Sequence, residues 1–150
     1  MAVKCIGIGN RIMRDDGIGI RVIENLSPQL KHMGIEVILG ETDTDYALSK
    51  IEDGDFLFII DGTYFNVKPG TITLTPIDKS IEQHHQAYSQ HQASLAYMIK
   101  TYGKTIEGFI IGIEVEEIDF SLELSNTLQR KLPHICEEVY QLIYKNIRGV

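Results

Sequence analysis

Three places in the chain carry residues that could do chemistry together. The first is Arg14-Asp15-Asp16-Gly17-Ile18-Gly19, with two adjacent carboxylates. The second is Asp61, which follows the apolar run Phe56-Leu57-Phe58-Ile59-Ile60. The third is His91, in Ser89-Gln90-His91-Gln92. Two carboxylates and an imidazole offer a mixed oxygen and nitrogen donor set suited to nickel, zinc or a similar divalent ion. Such a set can also support hydrolysis by metal assistance or by carboxylate-assisted attack of water. Each group has an ordinary structural reading when taken alone. Asp15 and Asp16 could cap a helix and favour the positive end of its dipole. Asp61 before Gly62 could be turn chemistry, and His91 could be a solvated residue at a helix start. His84 and His85, in Glu82-Gln83-His84-His85-Gln86, are best explained as part of a polar loop. A site requires Asp16, Asp61 and His91 to meet at one edge of the fold.

The elements that would have to position them follow from hydrophobic periodicity. Val3–Ile8 is a short apolar run entering the turn Gly7-Ile8-Gly9-Asn10, as a buried strand does. From Asp16 to about Lys31, the apolar residues Ile18, Val22, Ile23, Leu26 and Leu30 fall at helical spacing. Ile35–Leu39 reads as a second strand, and Asp43 or Thr44 as the cap of a short helix carrying Ala47, Leu48 and Ile51. Phe56–Ile60 is the strongest strand signal and is expected to end at Asp61-Gly62. Thr71–Thr75, bracketed by Pro69 and Pro76, suits an edge strand. Ser89–Lys100 should be a helix with Leu95, Met98 and Ile99 inward, and Phe109–Ile113 a buried strand. Ser125 is placed to cap a long last helix whose inner stripe is Leu128, Leu132, Ile135, Val139 and Leu142, kinked at Pro133.

Strands alternating with helices imply right-handed crossovers and a largely parallel sheet covered on both faces. The expected fold is α/β: a three-layer α/β/α sandwich of the phosphorylase/hydrolase-like kind, with one antiparallel edge strand and one domain spanning residues 1–150. Ligands in such sheets bind beyond the carboxyl ends of the strands, where strand order reverses. With strand order 2-1-3, Asp16 and Asp61 would face a common cleft that His91 could close.

Several function classes are disfavoured. The 14 Lys and Arg are scattered among 21 acids, and the net charge of −7 does not suit a nucleic acid partner. No apolar stretch approaches the ~20 residues of a membrane span, and the N-terminus does not resemble a secretory signal. Cys5 and Cys136 read as buried free thiols of a reducing compartment, so the expected location is cytoplasmic. The Gly7-x-Gly9 turn is not a dinucleotide fingerprint, because the third glycine position is occupied by Ile12. There is no GxSxG, and neither cysteine neighbours a histidine in a reactive-looking loop, so nucleophilic catalysis has little support.

The ordered blocks also resemble those of hydrogenase maturation endopeptidases. Gly7-Ile8-Gly9-Asn10 with Arg14-Asp15-Asp16-Gly17-Ile18-Gly19-Ile20-Arg21-Val22 is similar to that family's opening signature. Phe58-Ile59-Ile60-Asp61, Lys68-Pro69-Gly70-Thr71-Ile72, Ser89-Gln90-His91-Gln92, Gly112-Ile113-Glu114 and Leu124-Ser125 continue it in order. The resemblance implies a peptidase that recognises nickel already placed in a hydrogenase large-subunit precursor and removes the precursor's C-terminal extension. It implies Asp16, Asp61 and His91 as both metal-facing and catalytic residues, with nickel carried by the precursor rather than held permanently. Two segments depart from the family pattern: Gly40-Glu41-Thr42-Asp43, with Glu41 where a glycine is usual, and Gly62-Thr63-Tyr64-Phe65 after Asp61. The competing readings are a peptidyl-tRNA hydrolase, which also opens on a GxGN turn but needs a basic face, and a non-enzymatic flavodoxin-like binding module. A monomer is expected, because helices would cover both faces of the sheet.

Overall fold

Side chains along the first and third strands alternate between two apolar clusters, and this alternation sets the layering. Cys5 on one strand and Phe56, Phe58 and Ile60 on its neighbour join one cluster. Ile6, Ile8, Leu57 and Ile59 join the other. Because successive strand residues point to opposite faces, a strand buried on both sides reads as a continuous apolar run. The computed structural model describes residues 2–78 and 90–147, with the backbone alone over 90–94. Its sheet has strands β1 (Val3–Ile8), β2 (Glu36–Glu41), β3 (Phe56–Thr63), β4 (Ile72–Pro76) and β5 (Glu107–Glu114). Their spatial order is β2-β1-β3-β5-β4. The pairs β1–β2, β1–β3 and β3–β5 are parallel. The edge strand β4 runs antiparallel to β5, from Ile72 opposite Ile113 to Pro76 opposite Phe109.

Among the described residues four helices cover the sheet: α1 (Ile18–His32), α2 (Thr44–Ser49), α3 (Gln90–Thr101) and α4 (Asn126–Ile147). Val22, Ile23, Leu26 and Leu30 of α1 and Leu128, Ile135, Val139 and Ile143 of α4 pack on one face. Ala47 of α2 and Leu95 and Ile99 of α3 pack on the other. The three-layer α/β/α arrangement with a mostly parallel sheet and one antiparallel edge is therefore as expected from sequence. No described helix is long and apolar enough to cross a membrane.

The caps are as read in two places. Asp43 accepts the N–H of Tyr46 at 2.9 Å at the start of α2, and Ser125 Oγ accepts that of Leu128 at 3.3 Å at the start of α4. Three expectations change. The strand expected to end at Asp61-Gly62 continues to Thr63, because β5 supplies partners for Asp61, Gly62 and Thr63 at Gly112, Ile113 and Glu114. In α4 Ile143 joins the buried stripe, Leu132 and Leu142 pack against it only partly buried, and Pro133 lies within the helix on its exposed side. The segment Arg14–Gly17 is a separate 3-10 turn, so α1 begins at Ile18. Ser89, His84 and His85 lie outside the described residues.

The chain leaves β1 over one face through α1 to reach β2, then crosses back over the other face through α2 to reach β3. The crossovers therefore diverge between β1 and β3, which is the switch point of the sheet. Here α1 approaches the sheet very closely: a Cβ on Gly19 would lie 2.4 Å from the carbonyl oxygen of Ile60 and 3.1 Å from the Cα of Asp61. Both are backbone atoms and cannot swing aside. Gly19→Ala should therefore push α1 off β3 and cost about 1–3 kcal/mol, as overpacking does. Thermal melting should show a fall of roughly 3–10 °C, and a variant melting with the parent protein would contradict this account.

Candidate active site

Gly9 follows β1 with φ of +135°, a conformation that glycine tolerates and side-chain-bearing residues rarely adopt. A Cβ there would lie 2.1 Å from the carbonyl oxygen of Asp16 and 3.3 Å from Oδ1 of Asp61. The chain after β1 and the end of β3 thus meet across one glycine, at the switch point. The turn is held by β2 as well, since the N–H of Gly9 donates to the carbonyl of Glu41 at 2.9 Å. Glu41, where the resemblance leads one to expect glycine, takes a left-handed φ of +52°. Its side chain accepts from Arg11 Nε at 3.0 Å, and Arg11 also bridges to Glu24.

Asp16 does not cap a helix. The N-cap of α1 is Gly17, with no side-chain bond, and the Asp16 carboxylate turns instead toward the sheet edge. Its Oδ2 accepts the N–H of Asn10 at 2.7 Å, and its Oδ1 accepts the hydroxyl of Tyr64. Asp16 is 7% exposed and Asp61 is fully buried. The Asp61 carboxylate accepts the N–H of Gly62 at 2.7 Å. By strand alternation Asp61 shares the face of Leu57 and Ile59, the side that α2 and α3 cover.

Tyr64 lies among these acids. Burial pushes its phenol above the ordinary tyrosine value. The hydrogen bond to Asp16 and the negative charges of Asp16, Asp61 and Asp15 push it further the same way. The phenol is therefore a neutral donor at any physiological pH. His91 belongs to the opening turn of α3. That helix feeds β5 at the amino edge of the sheet, so its opening turn points toward the carboxyl edge. The His91 side chain lies outside the described residues. Among the described residues no group of three or more His, Cys, Asp or Glu side chains is arranged to hold a metal ion. Of the three expected site residues, Asp16 and Asp61 are the two whose side chains are described.

Asp15 has a different role from its neighbour. It is fully buried, and its Oδ2 accepts the N–H groups of Glu116 at 3.0 Å and Glu117 at 2.9 Å. Its Oδ1 accepts the N–H of Ser125 at 2.8 Å. It therefore anchors the loop between β5 and α4, which also joins the turn after β1 through Arg14 N–H to the Ser121 carbonyl at 3.0 Å. That loop exposes Phe120 (79%) and Leu122 (61%), and half-exposed Ile12 lies on the strand-like segment hydrogen-bonded to it. Glu114, 3% exposed, organises the segment after β3. It accepts the Thr63 hydroxyl at 2.8 Å and the N–H groups of Phe65 and Asn66 at 3.0 Å. Sequence reading missed Asp15, Tyr64 and Glu114 in these roles.

Burial raises both thiols, Cys5 to about 12 and Cys136 upward as well. Both are free and buried, so neither is a nucleophile of the reactive kind.

A layered α/β/α protein with buried acids gathered at the switch point of its mostly parallel sheet defines a mixed α/β class. Comparison with known proteins narrows this class. The family model for hydrogenase maturation protease matches residues 20–142. A protein of Methanocaldococcus jannaschii assigned as a hydrogenase maturation protease is 28% identical over 148 residues, covering 97% of this chain and 91% of that protein. The hydrogenase expression/formation protein HoxM of Azotobacter vinelandii is 26% identical, and the match covers 87% of this chain but only 66% of HoxM. The fold matches the hydrogenase maturating endopeptidase HybD of Escherichia coli with a TM-score of 0.79 at 21% identity, covering 97% of this chain and 94% of that one. The chain belongs to the hydrogenase maturation protease family, and the tRNA-hydrolase and passive binding-module readings give way to it.

The adjacent acids should separate experimentally. Asp15→Asn puts an amide against backbone donors that are buried, and should cost about 3 kcal/mol. Thermal melting should fall by roughly 6–12 °C, with the peptidase activity of the folded fraction retained. A stable Asp15→Asn protein would contradict the anchoring role. Because a raised thiol pKa keeps the neutral form through pH 9, alkylation of the native protein at pH 8 should leave Cys5 unmodified. Mass spectrometry reads this directly, and rapid labelling of Cys5 would count against its burial.

Proposed function

We propose that this protein is an endopeptidase that removes the C-terminal extension of a nickel-loaded [NiFe]-hydrogenase large-subunit precursor. Asp16, Asp61 and His91 act together in this reading: they face the precursor's nickel and bring the scissile peptide bond into reach. Nickel belongs to the substrate, so the chain needs no permanent metal. Two carboxylates with an imidazole suit a borderline divalent ion, and carboxylate oxygens alone would favour harder ones. In the hydrolysis, the oxygen of water adds to the carbonyl carbon, the C–N bond breaks, and the leaving amine takes up a proton. A carboxylate beside the bond can accept the proton that water gives up.

The observation that carries the reading is the approach of the Asp16 backbone and the buried Asp61 carboxylate around Gly9, with Tyr64 in the field of both acids, in a chain of this family. Exposed apolar side chains next to that edge, Phe120 and Leu122 among them, suit a protein substrate better than a small polar one. The proposal places the reaction in the cytoplasm, where buried free thiols are stable, with a monomer as the acting species.

Incubation with nickel-loaded and nickel-free precursor tests this reading through loss of the C-terminal peptide. Cleavage should occur only with the loaded form. Asp16→Ala, Asp61→Ala and His91→Ala should each abolish it while leaving the melting transition cooperative, and Asp16→Glu should retain part of the rate. Equal cleavage of both precursor forms would remove nickel from the recognition step. Full activity in any of the three alanine variants would remove that residue from the site.

A further inference from the structure

We propose that Tyr64 is a positioning residue that fixes the direction in which the Asp16 carboxylate meets the substrate's metal. This rests on the reading that Asp16 faces that metal. The two oxygens of Asp16 are each held by one donor: Oδ2 by the Asn10 N–H at 2.7 Å and Oδ1 by the Tyr64 hydroxyl. A carboxylate tied at one oxygen still swings about its Cβ–Cγ bond, whereas one tied at both does not. Each oxygen keeps a further lone pair for a cation, so the tie orients the group without consuming it.

Tyr64 is itself fixed in place. The residues flanking it, Thr63 on one side and Phe65 and Asn66 on the other, all donate to the single carboxylate of Glu114. Glu114 ends β5 and pairs in register with Thr63 at the end of β3. The phenol is therefore delivered from a segment anchored to two central strands, and it reaches Asp16 from 48 residues away in sequence. Carboxylates that bind metals commonly take such outer hydrogen bonds, and losing one typically costs about 10- to 100-fold in metal affinity.

Tyr64→Phe keeps the ring and removes only the donor, so it separates positioning from packing. Free Ni²⁺ is titrated by calorimetry into the full-length parent, Tyr64→Phe and Asp16→Asn, with thermal melting as a check on folding. Co²⁺ replaces Ni²⁺ in a parallel set, because its visible bands report ligand geometry. Tyr64→Phe should bind Ni²⁺ about 10- to 100-fold more weakly than the parent. Its Co²⁺ bands should also shift, a signature that loss of packing alone does not produce. Asp16→Asn should lose most of the affinity. If Tyr64→Phe binds like the parent while Asp16→Asn loses affinity, the positioning role is overturned and the metal role of Asp16 survives. If Asp16→Asn binds like the parent, the metal role of Asp16 fails, and the role of Tyr64 with it.

Discussion

The contact on which the site depends is steric: two stretches of backbone pass each other at Gly9 with no room for a side chain between them. The carbonyl of Asp16 occupies the place a Cβ would need. This crossing keeps the turn after β1 folded back on the end of β3. A second close passage, of Gly19 over Ile60, seats the start of α1 on the same strand. Between these two glycines lie only residues 10–13, the short turn Arg14–Gly17 and the first residue of α1, so the position of Asp16 is closely constrained by the sheet beneath it. Interiors pack at crystal-like density, and such passages do not slide.

Charge is handled differently at the two ends of the sheet. At the amino edge, buried Lys4 and Asp55 form an ion pair at 2.7 Å, and each charge cancels the other. At the carboxyl edge, Asp15, Asp16 and Glu114 are answered by backbone N–H groups and by hydroxyls. Neutral donors satisfy the lone pairs of a carboxylate and offset its desolvation, but they leave its formal charge in place. The edge of the sheet therefore keeps a negative field in a sheltered setting, where Coulomb forces are stronger than in water.

The strands and helices were legible because their signals are local. Apolar runs marked β1, β3 and β5, helical spacing marked α1 and α4, and Asp43 and Ser125 were recognisable as caps. The limits of that legibility are equally physical. Asp61 looked like the end of a strand because a carboxylate in a fully buried strand is unusual, and only the pairing with β5 carries the strand past it. Asp15 and Asp16 were indistinguishable as neighbours in sequence, since their separate roles are set by donors elsewhere. Tyr64 and Glu114 gave no local sign at all. Their partners are reached through tertiary contacts 48 to 51 residues away, and no periodicity records such a contact. Glu41 departs from the expected glycine, and its left-handed backbone is one that glycine adopts more easily.

The partners of Asp15 have a consequence for the life of the chain. Its three donors lie 101, 102 and 110 residues downstream. During synthesis, the segment bearing both neighbouring acids leaves the ribosome long before the groups that must receive Asp15 exist. Contacts so distant in sequence close late. The nascent polypeptide therefore carries its acids loose and hydrated, and they acquire their shared geometry only once the final third of the protein has emerged.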